Sequence, residues 1–349
     1  ATLMRIGAVH QTYAQAEALF DTSVQRFMLL VLFAGLVLFP FFADQYWIYL
    51  ACLVLIHIVS TTGLNILTGY TGLVSLGQAA FMSVGAYTVA ILEIRVGTPF
   101  IINLIVAGFV AAGVGMVVGI PSLRVKGLYL AIATIAASFI LHFLFANGPA
   151  ILGGTQGLSM PPARLFGYDL ARPFQLYWLF MPLTALSVLA AANLFRTRIG
   201  RAFIAIRDRD ISAEVLGIPL LKYKLLSFAL SSFYAGVAGG MWAYFFRVVT
   251  PESFPLIYSV FFLAAVIVGG MGTILGAILG AIFMTMVPEF LKIAVSYMTF
   301  IPNAVAQLSP IRTIVFGLLI IGFLLFEPQG LAEIWRRVRR FFHLWPFKK

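Results

Sequence analysis

Apolar residues run along this chain in long unbroken stretches, without the alternation of a half-buried strand or the one-sided stripe of a surface helix. Phe27–Phe42 and Ser259–Gly270 are examples. Read between polar or Gly/Pro breaks, the pattern predicts ten helical spans at about 27–42, 46–66, 78–94, 98–119, 128–146, 174–195, 225–246, 259–271, 274–297 and 311–326. The stretch 259–297 has to be two spans, because a helix of that length would reach about 58 Å against a hydrocarbon core of about 30 Å. Its break falls at Gly269-Gly270-Met271-Gly272-Thr273. A second interruption covers 68–78. There Gly69, Gly72 and Gly77 loosen the helix, and Asn65, Thr68, Tyr70, Thr71, Ser75 and Gln78 bring polar groups to membrane depth. A β-barrel is excluded, since its strands alternate over about ten residues.

Composition narrows the class further. Hydrophobic residues make up 62% of the 349 and charged residues 10%, against about 45–50% and 25% in soluble domains. So few charges cannot cover a globule of this size, which excludes a soluble or disordered chain. The fold class is an all-α integral membrane protein of about ten transmembrane helices, one of them irregular near 68–78. The single cysteine, Cys52, lies in an apolar run and permits no intrachain disulfide. No cleavable signal peptide is expected, and the first apolar run reads as a retained anchor.

The net charge of +11 gains meaning from where it lies. With the N-terminus cytoplasmic, 17 of the 23 basic residues fall on one side: Arg5, Arg26, Arg124, Lys126, seven between Arg196 and Lys224, and six from Arg336 to Lys349. Arg95, Arg164, Arg172 and Arg247 fall on the other. That asymmetry puts both termini in the cytoplasm. The chain then divides into a cytoplasmic segment 1–26, a single transmembrane domain 27–326, and a basic aromatic tail 327–349. The tail sets Arg among Trp335, Phe341, Phe342 and Trp345, an interfacial anchor on membrane lipid, with nucleic acid only a remote alternative.

Two loops are long. The outer one, 147–173, centres on Gly153-Gly154-Thr155-Gln156-Gly157; the inner one is 196–224. Within the inner loop, Asp208 can N-cap a short helix whose apolar stripe is Ile211, Val215 and Leu216, with Gly217 at its C-terminal turn and Pro219 blocking continuation. Two occupants suit such a stripe: the bilayer surface or the chain's own spans, and a cytoplasmic partner.

Four motifs carry a resemblance. They are Ala205-Ile206-Arg207-Asp208-Arg209-Asp210-Ile211-Ser212-Ala213-Glu214-Val215-Leu216-Gly217-Ile218; Gly63 to Phe81, containing Leu67-Thr68-Gly69-Tyr70-Thr71-Gly72; Val268-Gly269-Gly270-Met271-Gly272-Thr273; and Gly153-Gly154-Thr155-Gln156-Gly157-Leu158. In this order they resemble the permease family of branched-chain amino-acid ABC importers, and within it the larger of the two permease subunits. The resemblance implies a multi-pass bacterial inner-membrane protein working with a second, homologous permease subunit, two cytoplasmic ATPase subunits and a periplasmic substrate-binding protein. It implies that Asp208, Asp210, Ala213, Glu214 and Gly217 belong to the helix that couples to the ATPases. Branched-chain amino acids are the default solute, with urea, amides and small carboxylates behind.

The residues themselves fit that frame without fixing it. No Gly-x-x-x-x-Gly-Lys-Ser/Thr phosphate loop occurs, so ATP and Mg would be bound by partner chains and no cofactor by this one. Asn65, Thr68, Tyr70, Ser75 and Gln78 are candidates for the solute pathway, because irregular backbone at membrane depth survives only inside protein or beside a wet cavity. A plain cytoplasmic turn is the other reading. Gly154, Thr155, Gln156 and Gly157 are candidates for docking the binding protein, together with 247–258. Gly115 and Gly119, Gly236 and Gly240, and Gly272, Gly276 and Gly280 have the four-residue spacing of close helix packing. His57, His142, Glu289 and Lys292 are the ionisable groups read within spans, with Glu289 and Lys292 placed to pair. Nothing resembles a catalytic or metal-binding set, so the chain is read as a transport subunit and not an enzyme. The alternative function is an ion-coupled secondary transporter.

Overall fold

The computed structural model describes residues 23–122, 127–165, 168–170, 172–297 and 330–344, with isolated helical positions between 314 and 325. Its helices are α1 (Ser23–Phe42), α2 (Gln45–Asn65), α3 (Gln78–Arg95), α4 (Phe100–Ser122), α5 (Leu128–Asn147), α6 (Pro173–Arg196), α7 (Arg198–Asp208), α8 (Asp210–Val215), α9 (Leu220–Phe246), α10 (Leu256–Gly269), α11 (Ile274–Tyr297) and α12 (Leu331–Leu344). Four short strands lie in the connections: β1 (Leu158–Ser159), β2 (Ala163–Leu165), β3 (Tyr168–Leu170) and β4 (Val248–Val249).

Seven helical segments among the described residues are long and apolar enough to cross a membrane, where the sequence pattern predicts ten spans. The difference has local causes. Helix α1 runs through the expected span 27–42, with its described apolar stretch at Phe33–Phe42, and the expected span 311–326 lies largely outside the described residues. Helix α3 has the length, but it carries Gln78, Glu93 and Arg95. Protein surrounds it on nearly every side: Gln78–Tyr87, Val89, Ala90 and Glu93 are all buried.

The core forms where α9 runs along α4, α3 and α2. Small residues permit these approaches, since apolar side chains gain little from each other inside lipid while close backbones gain dispersion contacts. A Cβ on Gly239 would sit 1.9 Å from the Met82 carbonyl oxygen, and one on Gly236 would sit 2.6 Å from that of Ala107. On α11, a Cβ on Gly280 would sit 1.9 Å from the Ala265 carbonyl oxygen of α10. The four-residue glycine spacing read from the sequence therefore marks contacts inside one chain. Outward faces are apolar, as bilayer contact requires: Ile132, Phe139, Ile140 and Phe143 of α5 and Phe109 and Val117 of α4 are exposed.

The bundle has two distinct ends. At one, the segment after α2, the junction of α10 with α11, and helices α7 and α8 come together. The other holds the connection after α5, where β1 pairs antiparallel with β4 through Leu158–Val249 and Ser159–Val248.

Candidate functional site

The residues between α6 and α9 build two helices where the sequence pattern indicates one. Ile206, Phe203, Ala202 and Gly200 of α7 are buried, while Arg198 and Arg201 face outward. That apolar spacing of three and four was visible between the arginines but had been masked by them. Asp208 therefore ends α7 and does not cap the next helix. Arg209 occupies the N-cap of α8 in extended backbone, and the Asp210 carboxylate accepts the Ile211 N–H at 2.9 Å. A weak ion pair at 3.7 Å links Asp210 to Lys224 of α9.

Helix α8 ends as its sequence specifies. The Ile218 N–H donates to the Ala213 carbonyl at 3.0 Å and the Gly217 N–H to that of Glu214 at 2.9 Å. This pair of bonds closes a helix through a left-handed residue, and Gly217 has φ +84°. Ala213 is buried, whereas Ile211, Val215 and Leu216 are 71%, 83% and 79% exposed. Glu214 is exposed beside them. An apolar stripe so open, on a six-residue helix, is a surface awaiting a cover.

Next to α7 lies the break in α2. The helix passes into a π-helical turn, Ile66–Tyr70, and then irregular backbone up to Gln78. Hydroxyls take up the freed backbone groups. The Thr71 hydroxyl donates to the Ile66 carbonyl at 3.0 Å, and that of Thr68 to the Leu73 carbonyl at 3.2 Å. The N–H groups entering α3 are met as well: Leu76 donates to Thr134 Oγ1, Gly77 to Ser75 Oγ and Ala79 to Ser259 Oγ, at 2.9–3.2 Å. Gln78 Nε2 donates to the backbone carbonyl and hydroxyl of Ser60, and Tyr70 stacks on Phe195 of α6. Asn65, Thr68, Tyr70, Ser75 and Gln78 are thus brought together in one buried polar seam. Hydroxyls from Thr134, Ser75 and Ser259 fill the start of α3, which the sequence pattern alone does not show.

Asn65 ties this seam to the second break. Its Nδ2 donates to the Thr273 carbonyl at 2.9 Å and its Oδ1 accepts the Gly272 N–H at 3.0 Å. Thr273 in turn caps α11 by accepting the Gly276 N–H at 3.1 Å. Asn65→Ala orphans two backbone groups, so it should destabilise the protein by about 1–3 kcal/mol. The check is the melting temperature of the purified protein, which an inert bridge would leave unchanged.

At the opposite end, Gly154–Gln156 form a 3₁₀ turn between glycines that are themselves left-handed. Thr155 and Gln156 point outward, and a Cβ on Gly157 would lie 2.4 Å from the Val249 carbonyl oxygen. The segments 147–173 and 247–258, expected from the sequence to share one side, meet here through the β1–β4 pair.

Among the described residues, three polar clusters lie within the helices. His57 Nδ1 meets Thr285 Oγ1 at 2.7 Å, and Nε2 meets the Tyr258 hydroxyl. Thr285 gives its own proton to the Ala281 carbonyl, so His57 donates to the Thr285 oxygen from Nδ1. Glu289 pairs with Lys292 at 4.0 Å and accepts the Tyr46 hydroxyl, joining α11 to α2. The third cluster was missed: buried Glu93 accepts from Asn103 Nδ2 at 2.8 Å and from the Tyr244 hydroxyl at 2.7 Å. A carboxylate within the run 78–94 facing an asparagine in the next was the available signal. His142 lies exposed on α5.

The model of the branched-chain amino acid transport system permease component matches residues 46–324. The chain belongs to this family. It is 32% identical over 340 residues to the high-affinity branched-chain amino acid transport system permease protein LivM of Escherichia coli K12, covering 90% of this chain and 77% of that protein. A probable LivM of Methanocaldococcus jannaschii is 27% identical, with 79% and 90% covered. An autoinducer 2 import permease, LsrC of Klebsiella pneumoniae, is 28% identical over about half of each chain. No solved structure matches the chain significantly. The chain is therefore a multi-pass membrane transport permease, and as such a component of a transporter complex.

Proposed function

We propose that this permease is a membrane subunit of an ATP-driven importer for branched-chain amino acids or a closely related small polar solute in the bacterial inner membrane. The observation that carries the reading is α8, a capped helix presenting Ile211, Val215 and Leu216 to solvent on the most basic connection of the chain. ATP and Mg belong to two cytoplasmic ATPase subunits, which seat this helix through Asp210, Glu214 and Gly217, while buried Ala213 packs the helix onto its own chain. A second, homologous permease subunit completes the pathway, and a periplasmic binding protein delivers solute to the outer surface around Gly154, Thr155, Gln156 and Gly157.

The basic residues support ten spans with both termini cytoplasmic, which puts α7, α8 and the two helix breaks on the inner side. In that orientation the seam of Asn65, Thr68, Tyr70, Ser75 and Gln78 forms the closed inner end of the solute path. Solute reaches the cytoplasm when the π-turn and the Gly269–Thr273 junction separate.

The test is to purify the tagged chain from its native membrane, identify the proteins that accompany it, and measure leucine uptake in vesicles. Uptake that requires internal ATP and persists with the ion gradients collapsed is expected. Uptake that follows the proton or sodium gradient, lost in Glu289→Gln and indifferent to ATP, would replace this reading with a secondary transporter.

The end of α8 allows a narrower check. A Cβ on Gly217 would meet nothing within 4 Å, so Gly217→Leu changes only backbone strain, by about 1–2 kcal/mol. Yield of folded protein should hold while ATP-driven uptake falls severalfold; uptake equal to that of the unsubstituted chain would remove Gly217 from the coupling surface.

A further inference from the structure

One cationic side chain reaches from the basic connection into both helix breaks. Arg207 is the penultimate residue of α7 and lies two positions before the N-cap of α8. Its Nη1 donates to the Gly69 carbonyl, inside the π-turn, at 3.1 Å. Its stem crosses Gly72, where a Cβ would lie 3.1 Å from Arg207 Cγ, and its tip abuts Gly272, where a Cβ would lie 2.7 Å from Nη1. Both glycines are left-handed, at φ +74° and +73°. The Asp208 carboxylate accepts from Nε at 3.1 Å and forms an ion pair with Nη2 at 3.1 Å, which leaves Nη1 to turn toward Gly69.

Two links from the α7–α8 corner reach different parts of the bundle. The Asp210–Lys224 pair leads to α9, a continuous helix of 27 residues with no break to open. Arg207 leads instead to two places where helices are already interrupted, and Asn65 bridges those two places to each other. A π-turn and a glycine junction are elements able to take up a second arrangement, which coupling between distant surfaces requires. Any displacement of the α7–α8 corner must either break the Arg207–Gly69 bond or carry the π-turn with it.

We propose that Arg207 is the positioning residue that passes movement of α8 to the inner gate, formed by the Ile66–Tyr70 turn and the Gly269–Thr273 junction. The proposal rests on the importer reading above. It separates two jobs within one loop: the exposed stripe of α8 holds the partner, and Arg207 transmits what the partner does. Arginine suits the second job because one planar group bonds Asp208 and the Gly69 carbonyl at once, whereas a lysine offers a single point charge.

The experiment uses the complex that accompanies the tagged chain, reconstituted in vesicles, with leucine uptake and ATP hydrolysis measured on the same preparation. Arg207→Met keeps the stem against Gly72 and removes the donors. The partner ATPase should still co-purify, while leucine moved per ATP hydrolysed falls about tenfold. Arg207→Lys should recover part of that ratio. Val215→Asp supplies the contrasting behaviour, loss of the ATPase itself. An unchanged ratio in Arg207→Met overturns the proposal. So does loss of the ATPase from both Arg207→Met and Arg207→Lys, which would make Arg207 a structural clamp. If the unsubstituted chain brings down no ATP-hydrolysing protein, the importer reading fails, and the role of Arg207 fails with it for that separate reason.

Discussion

The substitution Gly239→Leu is expected to abolish folded protein. Gly239 sits where α9 crosses α3, and a Cβ there would fall 1.9 Å from the carbonyl oxygen of Met82, with the Met82 carbonyl carbon and Cα within 3 Å. Overpacking a core usually costs about 1–3 kcal/mol, because side chains can shift. Here the obstruction is backbone in a buried helix, so relief demands that α3 and α9 move apart and release Met82, Met241, Ala238 and Ala86 from the core together. Gly113→Leu on α4 is the control: a Cβ at that position meets nothing within 4 Å, and helix propensity favours the change. The measurement is the yield of monodisperse protein in detergent. Near-total loss for Gly239→Leu and a normal yield for Gly113→Leu are expected, and equal yields would show that the close α3–α9 crossing is not what holds the bundle.

The double substitution Val215→Asp with Leu216→Asp should have an equally large effect of a different kind. Both side chains are almost fully exposed, so the isolated permease loses no internal contact and its yield and melting temperature should be unchanged. In a complex, the same two residues would be buried in a partner groove, where truncating a central anchor costs about 2 kcal/mol or more and a buried unpaired carboxylate adds to that. ATP-dependent uptake should therefore disappear and the ATPase should no longer co-purify. Retained uptake would show that the stripe rests on lipid.

Much of this organisation is legible in the sequence, for reasons that differ by element. Hydropathy locates the long helices because an unbroken apolar run has few alternatives in lipid. The α10–α11 break follows from length alone. Gly217 and Pro219 mark the end of α8, and the structure puts a left-handed glycine there. The start of that helix was less legible: Asp208 and Asp210 are both acceptable caps by type, and only the buried Phe203–Ile206 face of α7 decides that the first helix runs through Asp208. Helix α3 illustrates the converse. Gln78 and Glu93 lower its hydropathy, yet they are buried because Ser60 and Asn103 of the neighbouring helices, and Tyr244 far along the chain, arrive to bond them, while Ser259 bonds the adjoining backbone.

The candidate site shows the same division. The glycines at 69, 72 and 272 and the polar residues around them were evident, whereas their meeting through Asn65 and Arg207 was not, since the bridging pairs lie 138 to 208 positions apart. The opposite end of the bundle behaves likewise. Gly153, Gly154 and Gly157 announce a left-handed turn, but its pairing with Val248 and Val249 is a tertiary fact.

The central claim is that α8 is covered by an ATP-hydrolysing partner, and one measurement reaches it directly. A photo-reactive benzoyl side chain placed at position 216, in the chain as it sits in its native membrane, reports what lies within a few ångströms of the exposed stripe. Illumination should give a single adduct with the ATPase subunit, absent when Val215→Asp is combined with it. Adducts with lipid or with this chain alone would contradict the account.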